Sequence, residues 1–198
     1  MPSLKSPFFW FVLSVLITAA LTALGPEEQS LGVNVRIVYL HGAWVLTAEA
    51  ALGLSAFAGL LGILTRRERL HQWSVALGRS GLFFWVAYLP LSLWAMQANW
   101  NGLFLSEPRF RLAVIFAVSG VLLQIGLALL ARPLLTSLLN VLFFATLRIG
   151  LSQAGYVLHP PPSPIFSSGI FSLQLFFIGI IFMTMLAAWF MTRWWLSR

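Results

Sequence analysis

Six apolar stretches, each about 20 residues long, take up most of this chain, and that length is what a helix needs to cross a bilayer. They run approximately over 7–24, 38–64, 74–97, 112–131, 134–151 and 169–192. In hydrocarbon a backbone must satisfy its own polar groups, which a helix does within one segment. The expected fold is an all-α integral membrane protein, a single six-helix transmembrane domain over residues 1–198. Composition agrees, with 60% hydrophobic and 9% charged residues, against about 25% charged in soluble domains. The connections are short and leave no room for a separate soluble domain.

Pro7 to Leu24 has the outline of a signal peptide. It ends in Gly25-Pro26-Glu27 without a small-residue cleavage site, so it reads as a retained first helix. Basic residues then orient the bundle. With both termini cytoplasmic, Lys5, Arg66, Arg67, Arg69, Arg79, Arg132, Arg193 and Arg198 lie inside. Arg36, Arg109, Arg111 and Arg148 lie outside, and the excess of inner charge favours this topology. Net charge is +7, but it sits in loops and gives no case for a nucleic-acid partner.

The chain has no cysteine, which excludes disulfides, thiolate metal sites and covalent haem attachment through C-x-x-C-H. The metal-ligating candidates are the three histidines. His71 falls in Thr65-Arg66-Arg67-Glu68-Arg69-Leu70-His71, expected to be a solvated basic loop on the inner side. His41 opens the second stretch and His159 follows the fifth, in His159-Pro160-Pro161-Pro162-Ser163-Pro164, so both fall at the outer rim. Prolines lacking a donor make the second segment a stiff extended crossing. Two neutral imidazoles make a six-coordinate site for haem iron, each nitrogen about 2 Å from the metal. The sequence permits this pairing only if the ends of helices two and five are neighbours. The alternative reading of each histidine is an interfacial side chain bonded to water or headgroups.

Between them lies the outer segment from Trp94 to Arg109, with Trp100 and Phe104 as flat partners for a macrocycle. Arg36, Arg109, Arg111 and Arg148 are candidates for its propionates. An ordinary aromatic belt with loop arginines accounts for the same residues. Glu49 lies about 12 Å deeper than His41 and about 80° round the helix. It is too far for the same iron, and is expected to be protonated or paired with a polar group such as Gln124.

These residues resemble the CcmC-like haem-handling membrane proteins of cytochrome c maturation, in the CcmC/CcmF/CcsA family. There, Arg-Ile-x-Tyr-x-His opens the second of six helices, and Arg36-Ile37-Val38-Tyr39-Leu40-His41 fits it. Gly42-Ala43-Trp44 follows where the family usually has Val-Pro-Ala. The family's tryptophan-rich motif reads roughly Trp-Gly-x-x-Trp-x-Trp-Asp-x-Arg. Trp100, Glu107 and Arg109 keep its spacing and Phe104 keeps an aromatic, while Asn101, Leu103 and Ser106 depart from it. Leu158-His159 matches the second ligand segment, with Ala154 and Gly155 at its tryptophan positions.

The resemblance implies haem b, bound transiently and non-covalently. His41 and His159 would be the iron ligands, with Trp100, Phe104, Glu107, Arg109 and Arg36 around the macrocycle. It implies delivery to a CcmE-like haem chaperone, an ABC-type complex of CcmA, CcmB and CcmD-like subunits, and a place in the cytoplasmic (inner) membrane. The family is not one of conventional enzymes. The rival readings are a haem-free structural or assembly subunit and a b-type electron-transfer cytochrome. A transporter is third, resting on Glu49, Gln124 and Asn140.

Overall fold

Among the described residues there are six helices, and three begin on proline, whose fixed φ suits a first turn and whose missing N–H has no intrahelical acceptor there. These are α1 (Pro7–Ala23), α4 (Pro108–Leu130) and α5 (Pro133–Gln153). The others are α2 (Val35–Thr65), α3 (Glu68–Trp100) and α6 (Phe171–Leu196). The computed structural model describes residues 6–155 and 164–198. Among them there is no strand, only an isolated bridge between Glu28 and Gly32. Five helices, α2 to α6, are long and apolar enough to cross a membrane; α1, at 17 residues, is shorter. The 33-residue α3 is the longest and contains Pro90, which leaves the Val86 carbonyl without its usual donor.

The burial pattern is the reverse of a soluble bundle. Ser55, Ser74, Ser80, Ser137, Thr18, Thr184 and Thr192 are fully buried, while Leu122, Leu129, Ile115 and Phe182 are exposed. This is how a multi-pass membrane protein is built: apolar side chains face lipid and small polar ones bond between helices. Thr47 and Thr184 join α2 to α6 at 2.7 Å, and Thr192 donates to Ser80 of α3 at 2.9 Å. Deeper in the bundle, Gln124 of α4 donates to Asn140 of α5 at 2.9 Å. Asn140 in turn donates to the Ser74 carbonyl at 3.1 Å, which also accepts from Ser55 at 2.7 Å.

Helices α2 and α3 form the central pair, with α6 and α5 against them, α1 against α6, and α4 against α3 and α5. Small residues let the central pair approach closely. A Cβ on Gly81 would lie 2.8 Å from the Leu52 backbone nitrogen, so only glycine fits there. Gly59 does the same toward α5, where a Cβ would meet the Ser137 carbonyl oxygen at 2.9 Å.

The expectation for His71 is corrected. Helix α3 begins at Glu68, so His71 lies in its first turns and is buried. Its Nδ1 is 2.7 Å from the Ser137 hydroxyl of α5. The charged neighbours in sequence face out, and the 100° turn per residue carries the imidazole inward.

Candidate functional site

The segment from Arg36 to His41 divides its side chains between two faces of α2. Arg36 Nε donates to the Gly25 carbonyl at 3.0 Å, and its guanidinium pairs with Glu27 at 3.4 Å. Tyr39 is fully buried, donates its hydroxyl to the Pro26 carbonyl at 3.2 Å and packs on Phe176 of α6. Both residues therefore tie the α1–α2 connection down. Arg36 is committed to that task, not held ready for a ligand carboxylate. His41 is two residues past Tyr39, about 200° round the helix, so its ring turns toward α3. It lies 5.7 Å from the Tyr88 ring, and its Nδ1 is shielded from solvent. Tyr88 packs edge-on against Trp85 at 5.0 Å, and Trp85 Nε1 donates to the Ala113 carbonyl of α4 at 3.1 Å.

The α1–α2 connection has its own lock. The Glu28 carboxylate accepts from the Ser30 and Leu31 amides at 2.9 and 3.0 Å and from the Ser30 hydroxyl. The Ser30 hydroxyl and then the Leu31 amide hold this exposed carboxyl below its usual range. Asn34 donates to the Ala98 carbonyl at 2.8 Å, joining this connection to the last turns of α3.

Below His41 the Arg148 guanidinium of α5 donates to the Glu49 carboxylate of α2. Glu49 is therefore paired with arginine, and Gln124 is engaged with Asn140 instead. Arg148 lies in α5, within the fifth apolar stretch, and is engaged in this pair.

The pairings of α2 with α5 have a constant register. Glu49 meets Arg148, Gly53 faces Phe144, and Gly59 faces Ser137. The two helices run antiparallel, so moving from Glu49 up to His41 corresponds to moving the same distance past Arg148. That brings His41 level with the point where the chain leaves α5, just after Gln153. His159 follows six positions after Gln153 in sequence, within about 20 Å at full extension, and lies outside the described residues.

The loop from α3 to α4 starts with Asn101 in the left-handed region, φ 50°, capping α3. Trp100, Leu103, Phe104 and Leu105 are exposed, whereas Glu107 is buried. The Glu107 amide closes a turn on the Phe104 carbonyl at 3.0 Å, and Arg111 Nε donates to the Leu105 carbonyl at 3.2 Å. Arg111 thus fastens this loop. The loop presents one tryptophan and one phenylalanine at the end of the bundle that carries His41, and Arg109 lies one residue into α4.

Tyr88 and the Glu49–Arg148 pair are the site residues that sequence reasoning did not bring together. A lone acid and a lone arginine within two apolar stretches were the available signal. Comparison with protein families, with curated proteins and with solved structures finds no match for this chain.

Proposed function

We propose that this chain is a six-span protein of the cytoplasmic membrane, both termini inside, that holds haem at its extracytoplasmic rim and passes it on. The cargo is haem b, bound non-covalently, and the receiver is a CcmE-like chaperone working with an ABC-type complex. His41 and His159 ligate the iron. Trp100 and Phe104 cover part of the macrocycle, and Arg109 faces its carboxylates. The observation that carries this reading is the α2–α5 register, which sets His41 level with the end of α5 from which the His159 segment departs. The donor set fits the cargo: an imidazole beside aromatic rings and a basic residue at the mouth. A rim site suits transfer, since ligands on separate elements can be displaced one at a time.

A b-type electron-transfer cytochrome would hold its haem between the helices with ligands well inside the spans, whereas His41 lies in the second turn of α2. The haem-free assembly subunit is the second reading. It is favoured by the exposed Leu103 and Leu105, aliphatic residues in a loop that offers few aromatic rings to a flat ligand.

The test is a pyridine haemochrome spectrum of protein purified after expression with added haem. A b-type spectrum in the parent that His41→Ala and His159→Ala each reduce at least about tenfold is expected for lost axial ligands. No haem, or haem that survives both substitutions, sinks the proposal and leaves the assembly subunit.

A further inference from the structure

The opposite end of the bundle carries a concave site, away from His41. The first turns of α3 and the last turns of α6 enclose a cleft of about 270 Å³, lined by Arg69, Gln72, Trp73, Arg193, Leu196 and Ser197. Its polar lining is two guanidiniums, an amide and a hydroxyl, with no carboxylate. Among the described residues neither Arg69 nor Arg193 has an ion-pair partner. Of the five acidic residues, Glu68 alone lies at this end.

One of the two cleft arginines, Arg193, is also held in place. The Arg193 guanidinium lies 5.8 Å from the Trp189 ring centroid, and Trp189 stacks on Trp73 at 5.4 Å. Beside the cleft, Arg198 lies over Trp194 at 5.2 Å and Arg79 over Trp195 at 5.3 Å. Tryptophans of this kind sit at headgroup level, where a membrane presents phosphate esters.

We propose that this cleft binds the phosphate of an anionic phospholipid in the adjoining leaflet. Two forked donors match a phosphate bidentately, Gln72 and Ser197 reach the glycerol or headgroup oxygens, and Trp73 and Leu196 line the path of the acyl chains. The size of the cleft suits a headgroup and not a larger soluble ligand. The site stands whether or not the rim carries haem.

Native mass spectrometry of the full chain, released from detergent with phosphatidylglycerol or phosphatidylcholine, tests this. One retained phosphatidylglycerol per chain is expected, with phosphatidylcholine much weaker. Arg69→Gln and Arg193→Gln should each weaken retention roughly fivefold, and together roughly thirtyfold. Arg132→Gln, on the α4–α5 turn at the same end, should leave retention unchanged. Unfolding temperatures without lipid should match across all variants, showing that the fold is intact. Equal retention of both lipids, or an equal loss in Arg132→Gln, would mean diffuse attraction and overturn the site. Displacement of the lipid by millimolar inorganic phosphate would make it a site for a soluble phosphate group and overturn the lipid assignment.

Discussion

Arg148 of α5 reaches across to the Glu49 carboxylate of α2, ninety-nine positions earlier in the chain. The contact fixes the stagger of the two helices and hence the height of His41 relative to the end of α5. Removing one partner strands a charge in an apolar setting. Arg148→Leu is expected to destabilise the protein by about 1–3 kcal/mol, less than a fully buried pair because Arg148 is half exposed. Replacing both residues by leucine should recover most of that loss. Thermal unfolding in detergent checks the pair, and additive losses in the double variant would show that the two side chains act separately.

Close packing between α2 and α5 should be as sensitive as the charge. Gly59→Ala pushes a methyl to 2.9 Å from a backbone oxygen, which cannot swing away. Overpacking of this kind costs about 1–3 kcal/mol. Gly126→Ala, with nothing within 4 Å of its new methyl, should be neutral or mildly stabilising. Comparing their unfolding temperatures checks both.

Ser137→Ala removes the partner of a buried imidazole and should destabilise by about 1–3 kcal/mol, more than a surface serine would. Restoration by Ser137→Thr would identify the hydroxyl as the cause. An unfolding temperature unchanged in Ser137→Ala would mean that His71 is held by packing alone.

Helix positions were legible from the sequence because apolar runs mark them directly, although the proline starts of α4 and α5 lie just outside those runs. The start of α3 was not. Glu68, Arg69 and Gln72 are polar because they face outward on turns beyond the apolar stretch, and that polarity reads as loop. His71 seemed solvated for the same reason; its partner Ser137 lies 66 positions away and no local pattern announces it. Tyr39 was legible only as a motif letter. Its work, anchoring Pro26 and packing on Phe176, depends on three segments meeting. Arg36 and Arg148 lie toward the same end of the bundle, as the order of the apolar stretches implies, but their partners were set by reach.

At the proposed haem site, Arg109→Ala is expected to weaken haem retention about two- to fivefold, the worth of a partly exposed charge pair. Either histidine substitution should cost more. Haem titration in detergent provides the comparison, and equal losses for all three would mean that the ligand roles are misassigned.

The Glu28 lock gives a pH-dependent prediction. Its folded-state value is depressed, so the stabilisation it gives the α1–α2 connection is present above the ordinary carboxylate range. That stabilisation is lost as pH falls through the lowered value. Ser30→Ala, which removes the largest cause, should raise the Glu28 midpoint toward the ordinary carboxylate range. Carbon-detected NMR of protein labelled at its five glutamates resolves this, and an unmoved midpoint would assign the depression to the amides.

The length of α3 has a mechanical consequence. Its 33 residues make a rod about 50 Å long, against about 30 Å of hydrocarbon. Trp73 stands near one end of that rod, Trp94 and Trp100 near the other. A thicker or thinner bilayer can therefore be met by shifting which turns of this one long helix lie in oil, while the helices around it keep their mutual stagger. A protein built so tolerates hydrophobic mismatch by tilt and immersion depth, with its two ends held a fixed distance apart.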